Sequence, residues 1–242
     1  MKSTNPVWKD ELFRPSGETS SGTMTINGAI QKTSLLLMIV ILTGAFSWWQ
    51  FAEGSSVPYL WIGLGGGLVF GLWTSFSPTK APMTAPLYAG FQGLFLGYIS
   101  AIYGQQYAGI PEQAFFLTML TLGLMLLLYY TRIIRVTEKF RSIITMAVGG
   151  IALTYLFAFI GGMFGMDTSF LYGNGMMSIG ISIFVIVIAS LSLLMDFDNI
   201  ERGAQSQAPK YMEWYCAFGL IVTLIWLYLE FLRLLSKLQS RD

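Results

Sequence analysis

Three acidic side chains in the last fifth of the chain could do chemistry by their type and position. Asp196 and Asp198 stand in Leu191-Ser-Leu-Leu-Met-Asp196-Phe-Asp198-Asn199-Ile-Glu201-Arg202, where an apolar run ends. Glu230 stands inside a second apolar run, in Leu227-Tyr-Leu-Glu230-Phe-Leu-Arg233. An ionisable group at or within a membrane span is costly, and it is by default a functional candidate. On a helix, positions two apart point nearly oppositely, whereas positions three or four apart share a face. Asp196 therefore shares a face with Ser192, Leu193, Asn199 and Ile200 and is expected to turn inward. Asp198 faces with Glu201 and Arg202 and is expected to be a locally paired acid at a wetted helix end. Glu230 has Thr223 on its face two turns earlier and Arg233 three residues on. It is either a partner of Arg233 at an interface or a buried, proton-linked or metal-linked acid.

These acids need a frame, and composition supplies it. The chain has 242 residues, is 54% hydrophobic and only 11% charged, against about 25% charge in a soluble domain. Seven apolar runs follow one another: 34–51, 58–76, 86–103, 114–130, 142–164, 176–195 and 214–235. Each approaches the ~20 residues that cross a bilayer. A spanning segment must satisfy its own backbone polar groups, and barrel-type alternation is absent, so helices are expected. The predicted fold is all-α: a polytopic seven-helix membrane bundle with the last helix central. Residues 1–33 read as a polar cytosolic tail, 34–238 as the membrane domain, and 239–242 as a short polar tail. The first apolar run starts after some thirty polar residues and no small-residue cleavage site follows it, so no signal peptide is expected.

Lys and Arg orient the chain. With the N-terminus inside, cytosolic segments hold eleven of the fourteen basic residues, and the three outer loops hold none. Arg233, Lys237 and Arg241 follow the last run and fall on the wrong side of this pattern. Either that run crosses despite its basic end, which is the favoured reading, or it re-enters. Gly63, Gly67 and Gly71, Gly93 and Gly97, and Gly161 and Gly165 are spaced for close helix packing within the chain. Pro82 and Pro86 bracket the expected start of the third helix.

Several functions are disfavoured. A net charge of +1 leaves no nucleic-acid footprint. The absence of histidine removes His-based metal and acid–base sites, and the single Cys216 reads as a small packed residue. No Ser/Lys or Cys/His constellation is evident, so an enzyme is not expected and no cofactor is implied.

The pairing of Met195-Asp196-Phe-Asp198-Asn199-Ile200 with Leu227-Tyr228-Leu229-Glu230-Phe231-Leu232 resembles the closing signature of the Bax inhibitor-1 (transmembrane Bax inhibitor motif) family, with the bacterial YccA-like branch the nearest fit. Ala89-Gly-Phe-Gln92-Gly93-Leu-Phe-Leu96-Gly97 is similar to its third-helix motif. The resemblance implies a pH-sensitive calcium leak in the inner membrane, with Asp196 and Glu230 as pH sensor and ion pathway. Asp198, Arg233 and Gln92 are secondary candidates, and the metal ligands are unknown. It departs from the pattern in having Glu230 rather than Asp, Gln92 where many members have Glu, and a longer segment between the two acids. Partners expected are the lipid bilayer, Ca2+ and, on an alternative reading as a non-transporting regulator, other membrane proteins or a membrane protease. Two carboxylates brought together in low dielectric would hold a shared proton near neutral pH and lose it as pH rises.

Overall fold

The computed structural model describes residues 22–55, 57–166 and 168–240. Eight helices follow in order: α1 (Ile26–Ala52), α2 (Tyr59–Phe76), α3 (Ala81–Gln106), α4 (Ile110–Tyr130), α5 (Glu138–Met163), the short α6 (Ser169–Tyr172), α7 (Met176–Gln205) and α8 (Met212–Gln239). A 3-10 turn at Pro78–Lys80 lies between α2 and α3. Seven of the helices are long and apolar enough to cross a membrane. Among the described residues there is no strand, only one antiparallel bridge between Thr23 and Pro209.

The seven expected runs are all present, and most helices extend beyond them by polar or small residues. Helix α1 begins at Ile26, inside the segment read as a tail; of that tail, residues 1–21 lie outside the described residues. Thr25 starts α1 because its hydroxyl accepts from Gly28 N at 3.0 Å, and Thr137 starts α5 the same way, from Phe140 N at 3.2 Å. Helix α3 begins at Ala81, so Pro86 lies inside it rather than at its start. Pro86 has no N–H to give to the carbonyl of Pro82, a loss that membrane helices accommodate through neighbouring groups. Helix α8 is one uninterrupted helix of 28 residues, about 42 Å at ~1.5 Å per residue. That length is enough to cross a bilayer, and no break in the helix marks a point of return.

The chain divides into two compact units. One comprises Met1–Ile102 with Asp196–Val222, the other Tyr103–Met195 with Thr223–Asp242. In the first unit, glycines bring helices together. A Cβ on Gly63 of α2 would strike the backbone of Phe91 and Phe95 in α3; a Cβ on Gly97 of α3 would strike the backbone of Gly44 in α1. These spacings serve packing within the chain, as expected. Gly161 and Gly165 do not: Gly161 faces Met166 just beyond it, and Gly165 takes φ +79° in the turn that ends α5, with nothing near its missing side chain. In the second unit, Ile144 and Ile151 of α5 pack with Val185, Ile188 and Met195 of α7, and Trp226 of α8 joins them.

Burial separates the helices. Half of the most apolar stretch of α7 and of α8 is buried, against 11% for α4 and α5. The last helix, expected to be central, is thus among the most buried, and α7 matches it. The apolar side chains left exposed on α4 and α5, among them Leu124, Leu127, Phe157 and Phe159, form the surface that a bilayer would cover.

Candidate acid site

Glu230 and Arg233 sit three residues apart on α8 and so share a face. The Arg233 guanidinium donates through one nitrogen to Glu230 Oε1 at 2.9 Å and to the Tyr155 hydroxyl at 2.6 Å. Tyr155, from α5, donates its own O–H to the same Glu230 oxygen at 3.0 Å. The three polar groups form a closed triangle. The guanidinium also lies over two aromatic rings, 4.9 Å from the centre of Tyr155 and 5.8 Å from that of Tyr172 on α6, a favourable cation–π placement. Glu230 is 1% exposed. Its second oxygen, Oε2, is buried with no hydrogen-bond partner among the described residues. Glu230 is therefore paired with Arg233 and buried at once.

One helical turn beyond Arg233, Lys237 is also buried. Its Nζ donates to Leu171 O at 2.8 Å, Ser182 Oγ at 2.9 Å and Ser178 O at 3.2 Å, so all three N–H groups meet an oxygen. Of the three basic residues that fall against the charge asymmetry of the loops, Arg233 and Lys237 are engaged inside the protein; Arg241 lies outside the described residues. The sequence showed no Ser/Lys arrangement, yet Ser182 and Lys237 are in contact. Two of its contacts are carbonyl oxygens, which only accept, so this Nζ clasps backbone.

Asp196 belongs to the other unit and has other neighbours. Ser192, Leu193, Asn199 and Ile200, on its helix face, are all buried, as the spacing predicts. A Cβ on Gly219 would lie 3.8 Å from Asp196 Oδ1, and Cys216 lies within the field of its carboxylate. From Gly219 to Glu230 is about 16 Å of α8 at ~1.5 Å per residue. Asp198 pairs with Arg202 at 2.7 Å, the local pair that the helix spacing anticipates. Gln92 is half-buried with its amide against Gly67 of α2.

Sequence reasoning missed Glu213, Tyr155 and Lys237. Glu213, also 1% exposed, opens α8. Its Oε1 accepts from Thr25 N and Thr25 Oγ1, each at 3.0 Å, and from Lys210 Nζ at 2.7 Å. The only signal in the sequence was a lysine three residues before it; the partner that decides its role is 188 residues away. Tyr155 carried no signal beyond being a polar tip within an apolar run. Lys237 carried one, its position four residues after Arg233.

A calcium ion asks for six to eight oxygens, and the described residues contain no cluster of three or more His, Cys, Asp or Glu. No curated protein and no solved structure matches the chain. The family model described as Bax inhibitor 1 like matches residues 5–240, and this protein belongs to that family.

Proposed function

We propose that this protein is a passive, proton-sensitive cation leak of the membrane, with calcium as the permeating ion, Glu230 as the sensing acid and Asp196 as a second acid along the ion's path. The observation that carries the reading is the single unpartnered Oε2 of Glu230, buried beside Arg233 and Tyr155. A buried carboxylate with one oxygen met by Arg233 and Tyr155 and the other unmet is the feature that supports an acid acting as a switch here. The groups around it are Tyr155, Arg233 and Tyr172, with Lys237 one turn further on. While Glu230 is ionised, Arg233 is held and the contact is closed. Protonation weakens that contact, so flux rises as pH falls. A second reading is a YccA-like regulator that carries no ion and binds other membrane proteins or a membrane protease; the exposed apolar side chains of α4 and α5 favour it.

Calcium entry into proteoliposomes, measured across a pH series, separates the two. A pH-dependent flux that Glu230→Gln fixes at its acid-side level supports the leak; no flux above empty liposomes supports the regulator. We also place the N-terminus in the cytosol and the protein in a bacterial inner membrane, on the strength of the three loops without Lys or Arg. Cys216 is buried, so it leaves the background clean for thiol labelling. An impermeant reagent applied outside should mark Glu112→Cys and spare Glu138→Cys; the reverse would invert the orientation.

A further inference from the structure

We propose that Lys237 is the latch that holds the short helix α6 over the Glu230 cluster, and that this latch sets the access of ions to Glu230; the second part rests on the leak reading above.

Helix α6 has four residues, far too few to be stable alone. Its position therefore comes from what grips it. Leu171 is its buried residue, at 2% exposure, and the Leu171 carbonyl accepts both from Lys237 Nζ at 2.8 Å and from Ser178 Oγ at 2.8 Å. The next residue, Tyr172, lays its ring over Arg233 and stands 6.5 Å from the ring of Tyr155. Two consecutive residues of α6 thus engage two basic residues of α8 that lie four apart on one face. The described segments on either side are held by little else. Residues 162–166 and 174–177 are all exposed, and the turn leaving α5 passes through Gly165 at φ +79°. Arg233 keeps about a quarter of its side chain exposed, and Tyr172 is the ring that covers it from the α6 side.

The nature of the grip makes it all-or-none. A buried ammonium is tolerable only when its donors are met, and Lys237 meets three oxygens at once, two of them backbone. Taking Nζ away leaves the carbonyl of Ser178 without this donor and Leu171 O with the Ser178 hydroxyl alone. Leu171 then has one neutral hydrogen bond in place of a charge-assisted one as well.

The test uses the full-length protein in lipid nanodiscs and in proteoliposomes. Hydrogen–deuterium exchange is read over residues 168–178, and calcium flux is read in parallel, for wild type, Lys237→Met and Ser182→Ala. Met keeps the length of the stem and removes the donors; Ser182→Ala removes one acceptor and carries the test if the Met variant fails to fold. We expect exchange in 168–178 to rise about tenfold or more in Lys237→Met, less in Ser182→Ala, with α4 unchanged, and calcium flux to rise in the same order. Unchanged exchange in a folded variant overturns the latch whatever the flux does. Raised exchange with a wild-type flux that neither variant alters overturns the control of access. Raised exchange with no flux in any of the proteins, wild type included, upholds the latch and removes the leak reading instead.

Discussion

Helix α8 carries two glutamates that are equally buried and differently used. Glu213, near its start, and Glu230, in its second half, are each 1% exposed. Each has a basic residue three positions away, Lys210 before the first at 2.7 Å and Arg233 after the second at 2.9 Å. They part in the remaining partners. Glu213 takes a backbone N–H and a hydroxyl from Thr25, the residue that caps α1. Glu230 takes a tyrosine hydroxyl and leaves its other oxygen bare. A backbone N–H cannot change its charge, so Glu213 is locked into holding two segments together. The partners of Glu230 are all side chains, and one oxygen is unclaimed, so no helix end depends on it. Burial and a nearby cation are common to both acids; the remaining partners set them apart.

Substitutions can sharpen or break this contrast. Glu213→Ala should have the largest effect on stability, about 3 kcal/mol, because it strands the Thr25 donors against a buried surface. Reversible unfolding in mixed micelles would measure it, and a loss below ~1 kcal/mol would erase the distinction. Gly28→Ala comes next. Its methyl group would land on the Glu213 carboxylate and should cost about 1–3 kcal/mol by displacing it. Glu230→Gln should cost only about 1 kcal/mol, since the amide oxygen still accepts from Tyr155 and Arg233. Its effect should appear instead as calcium flux that no longer responds to pH. Asp198→Asn should be the mildest, under ~1 kcal/mol with pH response intact, because its pair with Arg202 lies at a partly exposed helix end.

The same contrast explains what the sequence could reveal. Spans were readable because crossing a bilayer requires long uninterrupted apolar runs. Helix faces were readable because the period of an α-helix is fixed, which is why Asp196 falls among buried residues and Asp198 beside Arg202. The Glu230–Arg233 pair was readable for the same reason. Contacts set by tertiary meeting were not. Nothing local to Thr25 announces Glu213, and nothing local to Tyr155 announces Glu230. Lys237 looked like part of a basic tail because a lysine that buries its amine among carbonyls is written with the same letter as one in water. Helix α6 escaped notice because four residues have no periodicity to detect.

The cap on α1 has a consequence for how the protein is made. Thr25 and Glu213 are 188 residues apart. At about 5–20 residues per second, the ribosome delivers Glu213 roughly 10–40 s after Thr25. Through all of that interval the first span of the nascent chain lacks the acceptor that fastens its leading end, and so does the edge at Met24, whose N–H awaits Ala208 O. The earliest helix to be inserted is thus among the last to be finished, and a chain stopped before residue 208 would carry a beginning that its own end never arrived to close.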